Sequence, residues 1–347
     1  MSEFQVRNLS SQRDYTVRPD ETILDAILRQ GVAVPYSCRN GTCAACKSTL
    51  VSGKVAYDPY DKSAMTDAER EAGAILLCRA RPIEDLEVRA EEIPTLSNIS
   101  IQKLPCRVQA LNLLAHDVME LTLQLPGEAF FNYIPGQYID VMMRDQRRRG
   151  FSIANPPNGE SLTLHVRHVP NGRFTTHIFQ SMKSRDILRF EGPLGTFFLR
   201  KDSERPVILI AGGTGFAPLN AMIEDALGNG NMRPMHLFWG VRAYRDLYLY
   251  ETVQAWAEQA PASFRFTPVL SEPMEQDNWT GETGWVHESV LHHYPDLTDY
   301  DVYASGPPPM IDVIRETFPD HGLDASHLYY DSFEFSTDTL YPSVSEN

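Results

Sequence analysis

No histidine precedes His116, no apolar run approaches the length that crosses a bilayer, and the first residues lack a basic stretch leading into an apolar segment. These absences predict a chain with no membrane helix and no secretory signal, working in the cytoplasm, where thiols stay reduced. Cysteine is scarce: there are five, four of them between residues 38 and 78. Such clustering in a reducing compartment favours metal ligation over disulfides. Basic residues are also in deficit, 31 Lys and Arg against 46 Asp and Glu, a net charge of −15. That balance argues against nucleic acid and anionic membrane as partners. Neither an internal repeat nor a low-complexity tract is present. What remains, 42% apolar and 22% charged residues over 347 positions, suits a soluble protein of two or three domains.

The charge is uneven. Residues 1–93 sum to −3, residues 94–199 to +3 and residues 200–347 to −15. The positive middle owes its sign to Arg144, Arg147, Arg148 and Arg149, a spot suited to a small phosphorylated ligand. Residues 4–17 alternate as a β-hairpin, and Thr22 precedes Ile23, Leu24, Ile27 and Leu28 at helical spacing, with Gly31 as the stop. These elements and a later strand predict a β-grasp domain over residues 1–93, followed by a linker at 94–103. Short strands separated by turn signals such as Pro135-Gly136 and Asn171-Gly172 predict an antiparallel β-barrel over 104–199. From residue 200 to 335, apolar strands (Val207–Ala211, His236–Gly240, Phe266–Leu270, Val302–Ser305) alternate with helical stretches, which predicts an α/β domain with a mostly parallel sheet. A polar tail, 336–347, ends the chain. The fold class is thus multidomain α+β.

Cys38, Cys43 and Cys46 stand in C-R-N-G-T-C-A-A-C, and Cys78 follows after 31 residues. The spacing C-x4-C-x2-C…C is that of plant-type [2Fe–2S] ferredoxins. Thiolates bind iron, and Gly41 lets the backbone turn tightly around such a centre. Zinc is the competing metal, but its sites favour paired C-x2-C elements or histidines, and only one C-x2-C occurs here. Cys106 lies outside the pattern and reads as a buried thiol. His116, His292, His293 and His321 read as surface residues.

Two further elements follow in order: Arg149-Gly150-Phe151-Ser152 with Gly172-Arg173-Phe174-Thr175, then Ala211-Gly212-Gly213-Thr214-Gly215-Phe216-Ala217-Pro218 directly after a buried strand. Glycines there allow a backbone to approach a pyrophosphate beside a helix N-terminus. With the cysteine motif, these elements make the chain resemble the NAD(P)H-dependent iron–sulfur flavoprotein reductases, which carry ferredoxin, FAD and ferredoxin-reductase-like domains. Within them it resembles the CDP-6-deoxy-Δ3,4-glucoseen reductase-like members; the reductases of phenol hydroxylase, methane monooxygenase and benzoate dioxygenase share the domain order. The resemblance implies that Arg149 holds the FAD pyrophosphate, Phe151 packs on the flavin and Ser152 approaches N5. It also implies that His165, Val166 and Arg167 line the flavin, and that Gly172 and Thr175 form a second phosphate-binding turn. Ser305-Gly306-Pro307-Pro308-Pro309-Met310 matches the nicotinamide element C-G-P-x-x-M, with Ser305 in place of the usual Cys. Phe333 matches the aromatic that shields the flavin. Ala44 replaces a usual glycine of the cluster loop.

The implied activity is that of an oxidoreductase. NADH gives electrons in pairs, a [2Fe–2S] cluster takes them singly, and FAD converts one mode to the other. The expected acceptor is a partner protein, an oxygenase or hydroxylase component or a deoxysugar dehydrase. A stand-alone ferric or flavin reductase is the alternative, and a cluster-based redox sensor is an alternative of another class. NADH is preferred to NADPH because a 2′-phosphate needs a basic cradle and the last third of the chain is the acidic one; Arg242 and Arg245 speak for NADPH.

Overall fold

The structure is a computed structural model that describes residues 3–96, 99–127, 130–143, 145, 147–230 and 233–333. Arg144 of the basic tract, residues 334–335 and the tail 336–347 lie outside the described residues. Among those described, no helix is long and apolar enough to cross a membrane. The chain divides into two compact units: Met1–Ile101 with Pro193–Thr196, and Gln102–Gly192 with Phe197–Asn347.

The first unit begins with the expected hairpin, β1 (Phe4–Asn8) against β2 (Arg13–Val17). Helix α1 (Ile23–Arg29) starts where Thr22 accepts the Asp25 N–H at 3.2 Å, and it buries Ile23, Leu24, Ala26 and Ile27. There follow β3 (Lys47–Ser52), β4 (Val55–Tyr57), α2 (Asp67–Glu71), β5 (Ala74–Leu76), β6 (Ala80–Pro82) and β7 (Leu86–Arg89). The sheet order is β2-β1-β7-β3-β5, with β1 and β7 parallel, and β4 pairs β6 separately. This is a β-grasp sheet with α1 packed on it. The short stretch between β7 and the next unit is partly structured: Pro94–Leu96 make a single 3₁₀ turn.

In the second unit, β8 (Gln102–Ala115), β9 (Val118–Gln124), β10 (Tyr138–Met142), β11 (Arg148–Ser152), β12 (Ser161–Arg167) and β13 (Ile187–Leu194) form a sheet of order β11-β10-β13-β8-β9-β12. An antiparallel bridge between Ile153 and Leu164 joins its two edges into a barrel. Cys106 lies in its core with Val108, Leu121, Ile139 and Phe190. Helix α3 (Arg173–Gln180) crosses one end and buries Phe174 and Ile178; turn signals alone predict only the turn that opens it.

The same unit continues through β14 (Val207–Gly212), α4 (Phe216–Gly228), β15 (Met235–Val241), α5 (Tyr250–Gln259), β16 (Phe264–Leu270), β17 (Glu282–Thr283), α6 (Val286–His293), β18 (Asp301–Gly306), α7 (Pro308–Thr317) and β19 (Leu328–Ser332). All six strands are parallel, in the order β17-β16-β15-β14-β18-β19. The direction of winding reverses between β14 and β18, and ligands of open α/β sheets bind at the carboxyl ends of strands at such a point.

Two buried histidines are expected to make this unit acid-sensitive. His165 on β12 shares a hydrogen bond with the Tyr248 hydroxyl at 3.2 Å, and His236 on β15 sits between Tyr294 and Thr267 at 2.9 Å each. Burial pushes each imidazole down from 6.5 to about 4. The unfolded chain takes up these protons first, so the stability they contribute is present above pH 6.5 and is lost as pH falls toward 4. The expected loss is on the order of 3 kcal/mol per histidine. Urea denaturation from pH 7.5 to 4 checks this: the double variant His165→Gln, His236→Gln should lose visibly less stability over that window than the parent, and equal losses would refute the assignment.

Candidate functional site

The cysteine loop leaves α1 and returns as β3. Asp25, in the first turn of α1, ties the loop to the helix: it accepts from Thr22 Oγ1 at 2.8 Å and pairs with Arg39 Nη2 at 2.9 Å. Gly41 has φ +84°, and a Cβ there would lie 2.6 Å from Arg79 Cγ and 2.8 Å from Tyr60 Cβ, so only glycine fits. The four thiols converge. Cys43 donates to Cys38 and Cys78 to Cys46, and these bonds are the main reason the two acceptor thiols sit below their usual range, Cys38 at about 5. Backbone N–H groups of Asn40 and Thr42 also point at the Cys38 sulfur. Cys43, Cys46 and Cys78 are buried and none of the four is in a disulfide. A converging set of four soft donors with amides aimed at sulfur fits a two-iron cluster.

Ala44 follows Cys43 at φ +63° and is buried. A left-handed L-residue costs about 1–2 kcal/mol, against the 0.5–1 kcal/mol or so that glycine loses through unfolded-chain entropy. Ala44→Gly is therefore expected to stabilise the first unit by about 0.5–1 kcal/mol. Thermal loss of cluster absorbance should shift up by a few degrees (roughly 2–6 °C); a downward shift would show that the Ala44 methyl matters more than its backbone.

Strand β11 carries the next set. Arg149 and Phe151 share one face and Ser152 the other. Arg148 is committed to Glu191 at 2.9 Å, whereas Arg149 is half-buried, its Nη1 donating to the Arg148 carbonyl. The Phe151 ring lies 5.6 Å from that of Phe174 on α3. At the start of α3 a Cβ on Gly172 would lie 2.6 Å from Thr175 Oγ1, and Thr175 in turn accepts the Val169 N–H. A guanidinium, an aromatic ring, a helix N-terminus and a small turn on adjoining elements fit a flavin dinucleotide.

At the carboxyl ends of β14 and β18 the backbones nearly touch. A Cβ on Gly215 would lie 2.0 Å from the Ser305 carbonyl oxygen, and one on Gly212 2.7 Å from Pro307 and 2.8 Å from Met310. Trp239 Nε1 donates to the Gly213 carbonyl and its ring stacks on Phe216 at 4.1 Å. Thr214 is half-buried in this turn, and Pro218 lies in the first turn of α4, where its missing N–H costs no bond. Ser305 is fully buried, and its Oγ has no hydrogen-bond partner among the described residues. An orphaned buried hydroxyl beside a bare glycine turn fits a bound dinucleotide.

The structure brings the barrel and sheet residues together and redistributes some of them. Val166 points into the barrel core and His165 turns to Tyr248. Arg167 reaches the sheet: its Nη1 lies 2.9 Å from where a Gly213 Cβ would be, Asp117 flanks its Nε at 3.2 Å, and its buried Nη2 has no partner among the described residues. Phe333 N–H donates to the Gly306 carbonyl at 2.8 Å. Asp331, buried on β19, accepts from Ser152 Oγ at 3.2 Å. Sequence reasoning missed Asp331, Asp117, Asp25 and Tyr248. Asp331 left a signal, as an acid directly after the apolar run Leu328-Tyr329-Tyr330 and before Ser332-Phe333.

Comparison with known proteins places three domain families on the chain: a 2Fe-2S iron-sulfur cluster binding domain at residues 7–82, an oxidoreductase FAD-binding domain at 105–199 and an oxidoreductase NAD-binding domain at 209–316. The chain is 39% identical to the CDP-6-deoxy-L-threo-D-glycero-4-hexulose-3-dehydrase reductase of Yersinia pestis over 92% of its own length and 95% of that protein's. It is 33% identical to reductase component 2 of the terephthalate 1,2-dioxygenase of Comamonas sp, over 95% and 97%. The crystal structure of the Amycolatopsis cytochrome P450 reductase GcoB is similar with a TM-score of 0.79 and 31% identity, covering 95% of this chain and 98% of that one.

Proposed function

The chain belongs to the NAD(P)H-dependent iron–sulfur flavoprotein reductases, and from that premise we propose that it draws electron pairs from NADH and passes them singly to a partner protein, an oxygenase component or a sugar-nucleotide dehydrase. Bound FAD supplies the exchange between paired and single electrons, and the cluster supplies the one-electron outlet. Cys38, Cys43, Cys46 and Cys78 ligate that cluster. Arg149, Gly172 and Thr175 bind the FAD phosphates, and Phe151 and Phe333 bracket its ring. Gly212, Gly213, Thr214, Gly215 and Pro218 shape the turn that receives the dinucleotide pyrophosphate, with the α4 N-terminus favouring its charge. Arg167, steadied by Asp117, adds a guanidinium to that turn. Gly306, Pro307 and Met310 form the opposite wall, and Ser305 offers its hydroxyl to the nicotinamide end. Asp331 orients the Ser152 hydroxyl by accepting its hydrogen bond.

The observation that carries this reading is the Ser152–Asp331 hydrogen bond. It ties the proposed flavin strand to the strand next to β18, so the two cofactor elements meet over a fixed distance, as electron-pair transfer requires. The dehydrase and dioxygenase reductases named above support a protein acceptor; which acceptor is chosen is read by assaying both classes with the purified protein.

The NADH preference is tested by steady-state kinetics. The expected kcat/KM for NADH exceeds that for NADPH by about tenfold or more. Higher efficiency with NADPH would reverse the preference and assign Arg242 and Arg245 to a 2′-phosphate.

A further inference from the structure

Asn220 is poorly suited to its surroundings by every local rule. It lies one turn into α4, at a helix interior position where asparagine is a weak helix former. It is 5% exposed, and its Oδ1 is buried without a partner among the described residues. Its amide nitrogen is fully used: Nδ2 donates to the Ala154 carbonyl at 2.8 Å and to Glu224 Oε1 at 3.0 Å. Ala154 belongs to the barrel, two residues beyond Ser152. The segment between them is held on its other sides too, by Ile153 N–H to the Gln137 carbonyl at 3.0 Å and Ala154 N–H to the Thr163 carbonyl at 2.7 Å. Alongside, α4 presses on the barrel so closely that a Cβ on Gly136 would lie 2.2 Å from Met222 Cε. Ser152 is therefore fixed from the sheet side twice, at its hydroxyl by Asp331 and through its strand by Asn220.

We propose that Asn220 is a positioning residue that couples the dinucleotide turn to the flavin strand. Helix α4 springs directly from Gly212–Gly215, so a diphosphate held at its N-terminus sets the helix, and Asn220 transmits that setting to Ser152 through the Ala154 carbonyl. A residue breaking local rules at a cost, with one hydrogen bond donated across to the barrel and the other bracing it on its own helix, is expected where a site needs a fixed geometry. The inference rests on the role given above to Ser152.

The test uses full-length protein loaded with its cluster and FAD. Stopped-flow reduction of the bound flavin by saturating NADH should slow by about tenfold in Asn220→Ala, with the NADH KM changed by less than about twofold. Ser152→Ala should slow it as well, and the double variant should be no slower than Ser152→Ala alone, because both act through one hydroxyl. Multiplying effects in the double variant would overturn the coupling, as would an Asn220→Ala that raises KM alone or merely lowers the melting temperature. An unaffected Ser152→Ala would instead remove the role assigned to Ser152, and the coupling with it. Should Asn220→Ala not accumulate as folded holoprotein, Asn220→Ser, which cannot reach the Ala154 carbonyl but keeps a polar group for Glu224, is expected to give the same rate loss; a parental rate in that variant overturns the inference.

Discussion

Replacing Cys78 with serine is expected to abolish reduction of one-electron protein acceptors while NADH-driven ferricyanide reduction persists. Cys78 sits between β5 and β6, buried, its thiol donating to Cys46. A hydroxyl is a harder and weaker iron ligand than a thiolate, and a site with three sulfurs no longer closes on the cluster. Iron and sulfide content should fall toward zero and the visible bands of the cluster should vanish. Cytochrome c reduction should drop by about two orders of magnitude or more, since no one-electron outlet remains. Ferricyanide can take electrons from FAD directly, and the FAD- and NAD-binding domains lie in a unit with its own cores, so that activity should stay within about twofold of the parent. An unchanged visible spectrum in the variant would remove Cys78 from the ligand set. A bleached spectrum with undiminished acceptor reduction would instead favour a stand-alone flavin or ferric reductase.

The second large effect is expected from Gly215→Ala. The added methyl would sit 2.0 Å from the Ser305 carbonyl oxygen, 2.5 Å from its carbon and 2.9 Å from Gly306 Cα. All three are backbone atoms of a central strand, which cannot yield as a flexible side chain would. The β14–α4 turn and the end of β18 must part, and with them the two walls proposed to receive the nicotinamide dinucleotide. Turnover with NADH should fall by about a hundredfold or more, and the unit should lose several kcal/mol, on the order of 2–4, from overpacking. The cluster spectrum should be unaffected, because the cysteines belong to the other unit. Gly228→Ala is the matched control. It lies at the last position of the same helix, where a Cβ meets nothing within 4 Å, and alanine is the better helix former by about 1 kcal/mol. Near-parental activity in both variants would mean that the close approach at Gly215 is not what shapes this cleft.

The readability of the chain varied with the range of the interactions involved. The cysteine loop was legible because three of the four proposed ligands lie within nine residues, at a spacing that reflects the shape of one object. The β-grasp hairpin, the helix capped by Thr22 and the four inner strands of the parallel sheet's six (β14, β15, β16 and β18) followed from periodicity and local capping, whereas the short β17 and the edge strand β19 were not read. Helix α3 was not read, because only Phe174 and Ile178 mark its buried face. Arg167 could be placed on its strand, yet nothing nearby in sequence indicated that it crosses to Gly213. The roles of Asp331 and Asn220 could not be read for the same reason: their partners, Ser152 and Ala154, lie 179 and 66 positions away. Ala44 stood out as a departure from the usual glycine, but only its φ of +63° shows that the departure is a strained one.

The order of residues alone determined which chemistries the chain can host: four thiols for iron, guanidinium and glycine for phosphate, and a pattern of strands and helices to carry them. Those properties reside in side-chain type and short spacing, which folding does not alter. Which groups face one another across the barrel and the sheet was decided only in three dimensions. A hydrogen bond between distant residues depends on where packing brings two backbones, and that placement is a property of the whole unit.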